Sequence, residues 1–379
     1  MRTEVRRLIL VGIAALAALT AQSPAPKKAS PAASQRMPAI AAEVLGPRSR
    51  LESDLRFLTD EIGGRTTGSD AYEQALRWGL DSLKRAGVDG GGFEPYDAPA
   101  RWEGGRAVGA VVSPYSFPLR VISFAMAPGT GGELTAPLVD AGEGRQADFD
   151  RLGEKARATI ALVRSKPMRS FDDLFAEYLA GPEMVQAAAE SGVAAILFIS
   201  TRPRGLLYRH TITFDGTIVP LPMVQVGRED GLRLARLLEK GRDLRVSLDI
   251  QNRVGGAWKP QNVVADIRGS ERPDEIVLLG AHLDSWDLGT GALDNGVNCA
   301  LVVEVARAIA AGPRPKRTVR FVLFTGEETG LLGSRGYVAA LIHDIGDGKV
   351  VGYFTNGRPD IRPALARALS PVAGWGAAG

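Results

Sequence analysis

Apolar positions change their rhythm along the chain, and the changes divide it. Residues 51–62 follow a helical pattern and give way to a glycine-rich turn over 63–69. A second helix is expected beyond it, with Ser69 or Asp70 as cap and Leu76, Leu80 and Leu83 on its apolar face. Residues 106–125 carry β-type apolar runs broken by Pro114 and Pro118. Pro128, Gly129, Gly131 and Gly132 form a strong breaker, and a domain boundary is expected there. The stretch after it predicts strands over 158–163, 193–199 and 246–250. It also predicts two helices. One covers 182–190, with Pro182 in its first turn and Gly192 just past its end. The other covers 228–240, with Leu234, Leu237 and Leu238 on one side.

From Asn262 onward, buried strands alternate with helices. Strands are expected over 276–281, ending at His282, and over 318–324, ending just before Glu327 and Glu328. Helices are expected over 295–311 and 329–338, although Gly330, Gly333 and Gly336 each cost about 1 kcal/mol relative to Ala. A short apolar run over 339–342 leads to His343 and Asp344, and a further strand is expected over 349–354. The alternation implies an α/β fold with a largely parallel sheet. Such sheets bind ligands beyond their strand carboxyl ends, where His282, Glu327, Glu328 and Asp344 fall. The expected organisation is a discontinuous domain, 45–130 with 255–379, enclosing an inserted α/β domain over 131–254.

With 379 residues, 45% of them hydrophobic, the chain is long enough for two domains. The net charge of +3 is interspersed rather than clustered, which argues against a nucleic-acid partner. Arg2, Arg6 and Arg7, the apolar run 8–18 and the small residues before Gln22 read as a signal peptide over 1–21. That implies secretion or a periplasmic location. The run is shorter than the roughly 20 residues of a membrane span, so stable insertion is not expected; the rival reading is an uncleaved anchor. Residues 22–44 read as a flexible tether. Cys299 is the only cysteine, so no intrachain disulfide can form. The apolar run after it marks Cys299 as a small core residue.

The candidate chemistry lies in Gly280-Ala281-His282-Leu283-Asp284-Ser285-Trp286-Asp287 and, past a glycine-rich turn, Ala292-Leu293-Asp294-Asn295-Gly296. Zinc accepts imidazole and carboxylate ligands, which His282 and Asp294 supply. Asp284 is the candidate partner for the second nitrogen of His282. The glycines let the backbone fold back and bring Asp294 towards His282. Glu327 and Glu328 would repel each other if both pointed one way. A metal resolves the conflict when one glutamate binds it and the other takes a proton from a water that it activates.

These stretches, together with Thr325-Gly326-Glu327-Glu328-Thr329-Gly330-Leu331-Leu332-Gly333-Ser334, resemble the M28 metallopeptidases, especially the carboxypeptidase Q branch. Residues 64–69 resemble that family's N-terminal Gly-Arg-x-x-Gly-Ser element, and the inserted segment resembles a protease-associated (PA) domain. The resemblance implies a zinc exopeptidase acting on dipeptides or short peptides, with two zinc ions in a complete member and homodimerisation as a family-level expectation. It implies His282 as zinc ligand, Asp294 as bridging ligand, Glu328 as ligand, Glu327 as general base and Asp284 as the residue orienting His282. A further aspartate ligand falls on Asp344, although the span from Glu328 is shorter than the resemblance implies. The other reading of Asp344 is a loop carboxylate.

The family also places a histidine ligand near its C-terminus. This chain has three histidines, His210, His282 and His343, and ends at Gly379. The expectation is therefore a C-terminally incomplete member with low or no activity as it stands. His343 reads as an ordinary histidine, and His210 as a loop residue or a substrate contact from the insert. The rival class is a non-catalytic, receptor-like or binding protein on the same fold. Gly289-Thr290-Gly291-Ala292-Leu293-Asp294 has Asp294 where a dinucleotide fingerprint has its third glycine. No Gly-x-Ser-x-Gly elbow or phosphate-binding Walker loop is present.

Overall fold

The structure is a computed structural model and describes residues 39–344. In chain order, helix α1 (Asp70–Ala86) leads to strand β1 (Gly90–Pro95). Strand β2 (Arg101–Glu103) then carries the chain out of the first unit. Eight strands follow: β3 (Ala107–Ser113), β4 (Phe117–Leu119), β5 (Val121–Ser123), β6 (Leu134–Asp140), β7 (Ile160–Val163), β8 (Ala195–Ile199), β9 (Met223–Val226) and β10 (Arg245–Ile250). They form one sheet in the order β4-β3-β10-β6-β7-β8-β9-β5, with helix α2 (Phe171–Ser191) between β7 and β8. Strand β11 (Arg253–Gly255) pairs antiparallel with β2, so outgoing and returning chain form a two-stranded ribbon. Strands β12 (Gln261–Ile267), β13 (Arg272–His282) and β14 (Arg317–Phe324) complete the first sheet, ordered β1-β12-β14-β13. Helix α3 (Val297–Ala310) joins β13 to β14, and helix α4 (Leu332–Asp344) follows β14.

The first sheet is held by the faces the sequence marks as apolar. Leu76, Leu80 and Leu83 of α1 pack with Val302 and Val303 of α3 on Val263, Phe321 and Leu323 of the sheet. Each such side chain, fully buried, contributes roughly 1.5–3 kcal/mol before entropy is counted. Ser69 caps α1 by accepting a hydrogen bond from the Tyr72 amide, and Gly87 ends it in the left-handed conformation. In the second sheet β7, β8 and β9 are buried along their whole length, as parallel strands covered on both faces should be.

The α/β class is as expected, and several details differ. Within the described part of the first sheet only β13–β14 is parallel; β1–β12 and β12–β14 are antiparallel. The expected boundary near 130 falls inside the second sheet, because β10 pairs with β3 on one side and β6 on the other. The second unit thus takes in 107–123, and the glycine-rich break is an internal turn. Helix α2 starts at Ser170 rather than Pro182. Ser170 and Asp173 form a reciprocal cap, each side chain accepting the other's amide, and the helix runs on through Pro182 to Ser191. Finally, 339–342 continue a helix. Gly333 allows it to seat, since a Cβ there would lie 2.2 Å from the Thr325 carbonyl oxygen. Residues 39–44 of the expected tether are also helical. The signal peptide, the rest of the tether and the strand expected over 349–354 lie outside the described residues.

Candidate metal centre

Strands β13 and β14 run parallel with His282 opposite Phe324, so both end at one sheet edge. His282 is the last residue of β13, and Glu327 and Glu328 sit on the turn that follows β14. Past β13, loop 283–291 folds back and delivers Asp294 at the entry to α3. The outcome is convergence. One ligand atom each from His282, Asp294 and Glu328 lies within 4.8 Å of the others. His282 Nε2 is 3.0 Å from Asp294 Oδ1 and 3.9 Å from Glu327 Oε2.

The supports beneath these side chains are mostly main-chain hydrogen bonds. Asp284, 1% exposed, accepts at Oδ1 from the Glu327 amide (3.3 Å) and at Oδ2 from the Glu328 amide (3.3 Å) and the Thr67 hydroxyl (3.1 Å). Thr67 in turn accepts from the Gly326 amide at 2.9 Å. One buried carboxylate therefore fixes the backbone of both glutamates. The Nδ1 of His282 is 3.1 Å from the Asp284 main-chain oxygen and 3.6 Å from its Oδ1. Its hydrogen-bond partner is the carbonyl, and the carboxylate is a close charge.

Arg65 braces the other side. It is fully buried and donates to the carbonyls of Leu283 (2.8 Å), Gly63 (2.9 Å), Thr290 (2.8 Å) and Gly291 (3.0 Å). It thereby ties together both ends of loop 283–291. Gly64 lets this segment approach, because a Cβ there would fall 2.4 Å from the Asp287 Cα. Behind the strand end, the thiol of Cys299 donates to the His282 carbonyl at 2.9 Å. Burial pushes that thiol's pKa up to about 12, which suits a core residue and not a nucleophile.

The electrostatics are those of too many acids in one place. Burial, then the charge of Asp284, pushes the Glu328 pKa up to about 9. Burial also raises Glu327, with Asp284 and Asp294 adding to the shift. Burial alone would lower His282, but Asp284 and Asp294 outweigh it and hold the imidazole well above its usual value. The His282 contact lowers Asp294. A divalent cation would relieve this arrangement. One imidazole and two carboxylates form a donor set that zinc accepts, and tetrahedral ligands about 2.0–2.1 Å from a zinc lie about 3.3 Å apart. The observed spacing, 3.0 Å from His282 to Asp294 and within 4.8 Å for all three residues, brackets that distance, so the residues fit the ion.

Residues 262–356 match peptidase family M28. That segment places an M28 peptidase domain in this chain. Carboxypeptidase Q of Xenopus laevis is 27% identical over 341 residues, covering 85% of this chain and 70% of the relative. Carboxypeptidase Q of Mus musculus is 29% identical over 297 residues, covering 76% of this chain, which spans only 61% of the mouse protein. The crystal structure of a peptidase M28 precursor from Shewanella amazonensis SB2B superposes with a TM-score of 0.70 at 26% identity, covering 89% of this chain and 80% of that one. The family likeness thus extends well beyond the matched segment.

In this chain the structure brings together His282, Asp294, Glu327 and Glu328, with Asp284 buried beneath them. Asp344 does not keep the strand-end setting that made it a candidate: it is the last residue of α4, because the helix runs on through 339–344. The side chains of His343 and Asp344 lie outside the description. His210 is a loop residue, and a buried one. It is 2% exposed, and its Nε2 lies 2.7 Å from Glu177 Oε1 on α2. Sequence reasoning missed the brace at Arg65, whose guanidinium binds only carbonyls, although the Gly-Arg-x-x-Gly-Ser element contains it. Tyr178, next to Glu177, also escaped notice. Burial, then the charges of Glu328, Glu177, Glu327 and Asp294, raises its pKa, which sets it within the field of the site.

Proposed function

We propose that this chain is a zinc-dependent exopeptidase acting on dipeptides or short peptides. The observation that carries the reading is the meeting of His282, Asp294 and Glu328 ligand atoms within 4.8 Å, with a second carboxylate, Glu327, alongside. The likeness to carboxypeptidase Q enzymes supports substrates with free ends. We read the donor set as holding one zinc on His282, Asp294 and Glu328, with an open position for substrate.

When bound, zinc supplies Lewis acidity, polarising a carbonyl and lowering the pKa of a water. The chain's own residues do the rest. Glu327 is the general base: its side chain is 37% exposed, so water and substrate can reach it, and its raised pKa moves it towards the neutral range where a base works best. It takes the proton from the attacking water and returns it to the departing amine nitrogen. Asp284 holds the amides of Glu327 and Glu328 so that neither side chain swings away. Arg65 holds the loop that sets the distance from His282 to Asp294. Asp294, with its side chain 75% exposed, marks the open side through which a peptide enters.

The test is hydrolysis of unblocked, N-acetylated, C-amidated and doubly blocked dipeptides after zinc loading, with Glu327→Gln alongside. The proposal expects cleavage only where one terminus is free, and at least a hundredfold loss on Glu327→Gln. Equal rates for the substitution and the parent would sink it. No described helix is long and apolar enough to cross a membrane. We further propose export by residues 1–21, a second unit of PA type, and a homodimer. Cell fractionation and sedimentation of the purified chain check the first and last of these.

A further inference from the structure

Loop 283–291 connects two of the proposed ligands, His282 and Asp294, and its middle docks against the second unit. Trp286 packs in a cluster with Trp102, Ala125, Met126 and Ile218. Beside it, Asp287 receives a fork from Arg209: Nε to Oδ1 at 2.5 Å and Nη2 to Oδ2 at 3.2 Å. Arg209 is 4% exposed and is itself held rigidly. Its Nη1 donates to the main-chain oxygen and hydroxyl of Ser123 on β5, each at 2.8 Å, and its guanidinium lies 5.2 Å over the Trp102 ring. Neither Arg209 nor Asp287 belongs to the ligand set.

A two-bond guanidinium–carboxylate fork fixes orientation as well as distance, and lysine cannot reproduce it. The loop it grips contains Gly289 and Gly291, so without a brace its backbone is free to sample many states. Any ordering left undone before binding is charged against metal affinity.

We propose that Arg209 is a positioning residue through which the second unit presets the metal loop, so that zinc affinity depends on a contact made outside the peptidase sheet. The inference rests on the metal site proposed above. The test is zinc affinity of the full chain by competition with a chromogenic chelator, alongside thermal melting without metal. Arg209→Gln and Asp287→Asn are each expected to weaken zinc about tenfold, with the double substitution no weaker than either single one. Asp287 is partly exposed, so its amide variant keeps the fold. Arg209→Lys should fall between parent and Arg209→Gln. Arg164→Gln, which breaks the ion pairs to Asp140 and Glu239 elsewhere in the second unit, should lower the melting temperature and leave zinc affinity unchanged. The inference is overturned if Arg209→Gln and Asp287→Asn bind zinc as the parent does, or if Arg164→Gln weakens binding equally. A parent that binds no zinc would instead overturn the metal site itself.

Discussion

Substituting Asp284 by asparagine tests the buried support of the site without changing its shape. The carboxylate accepts three hydrogen bonds, from Glu327 N, Glu328 N and Thr67 Oγ1. An amide can present one oxygen only. If its NH2 replaces Oδ1, the Glu327 amide faces a donor; if it replaces Oδ2, the Glu328 amide and the Thr67 hydroxyl do. At least one bond to a charged acceptor is lost, worth about 1.5–3 kcal/mol, and a buried donor is left without a partner. An opposing effect is relief of repulsion between Asp284 and Glu328. It is small in the metal-free protein near pH 7, because a Glu328 pKa of about 9 leaves that group protonated there. The loss therefore wins. For a chain of this size it predicts a fall in melting temperature of about 3–10 °C. Zinc affinity should fall about 10- to 100-fold, since both the Glu328 backbone and the charge beside His282 are altered. Calorimetric melting of the metal-free chain and a zinc competition titration read the two effects. An Asp284→Asn protein that matches the parent in both would refute the reasoning.

Further expectations follow from the same geometry. Glu328 carries a folded pKa raised from 4.5 to about 9, so its contribution to metal-free stability is fully present below about pH 4.5 and is lost as pH rises through about 9. The raised His282 pKa acts in the same direction. Melting of the metal-free chain from pH 5 to 9.5 should show declining stability, Glu328→Gln should flatten the decline, and zinc uptake should release protons; a pH-independent parent contradicts this. Arg65→Lys keeps a charge but abandons most of the carbonyls that Arg65 binds, so it should cost about 2–4 kcal/mol by denaturant titration and weaken zinc, whereas a neutral outcome would remove Arg65 from the account. Cys299, buried with its pKa near 12, should resist iodoacetamide in the native chain at pH 8 and react once unfolded, as mass spectrometry will show.

The acids and the histidine were legible in the sequence because their setting is local. His282 ends an apolar run, Glu327 and Glu328 follow another, and a glycine-rich turn returns the chain to Asp294. Strand ends of an α/β sheet gather such residues. Of the supports only Asp284 was legible, and the rest were not, for two reasons. The Arg65 guanidinium donates only to carbonyls, which every residue carries, so no partner residue type marks its role. Arg209 and Asp287, like Thr67 and Asp284, meet only through the tertiary fold. The same holds for the second unit's limits: β3 joins it by pairing with β10, more than a hundred residues away, while the turn at 128–132 looks like a boundary from inside a short window. Pro182 marks a helix start in the sequence more plainly than the cap at Ser170, so the first half of α2, which carries Glu177 and Tyr178, shows only in the structure.

The most direct measurement is calorimetric zinc titration of four single variants beside the parent. His282→Ala, Asp294→Asn and Glu328→Gln should each bind zinc at least tenfold more weakly, while Glu327→Gln should bind it about as well as the parent. If Glu327→Gln loses zinc like the other three, or if none of the three loses it, the division of these side chains into ligands and a free base is contradicted.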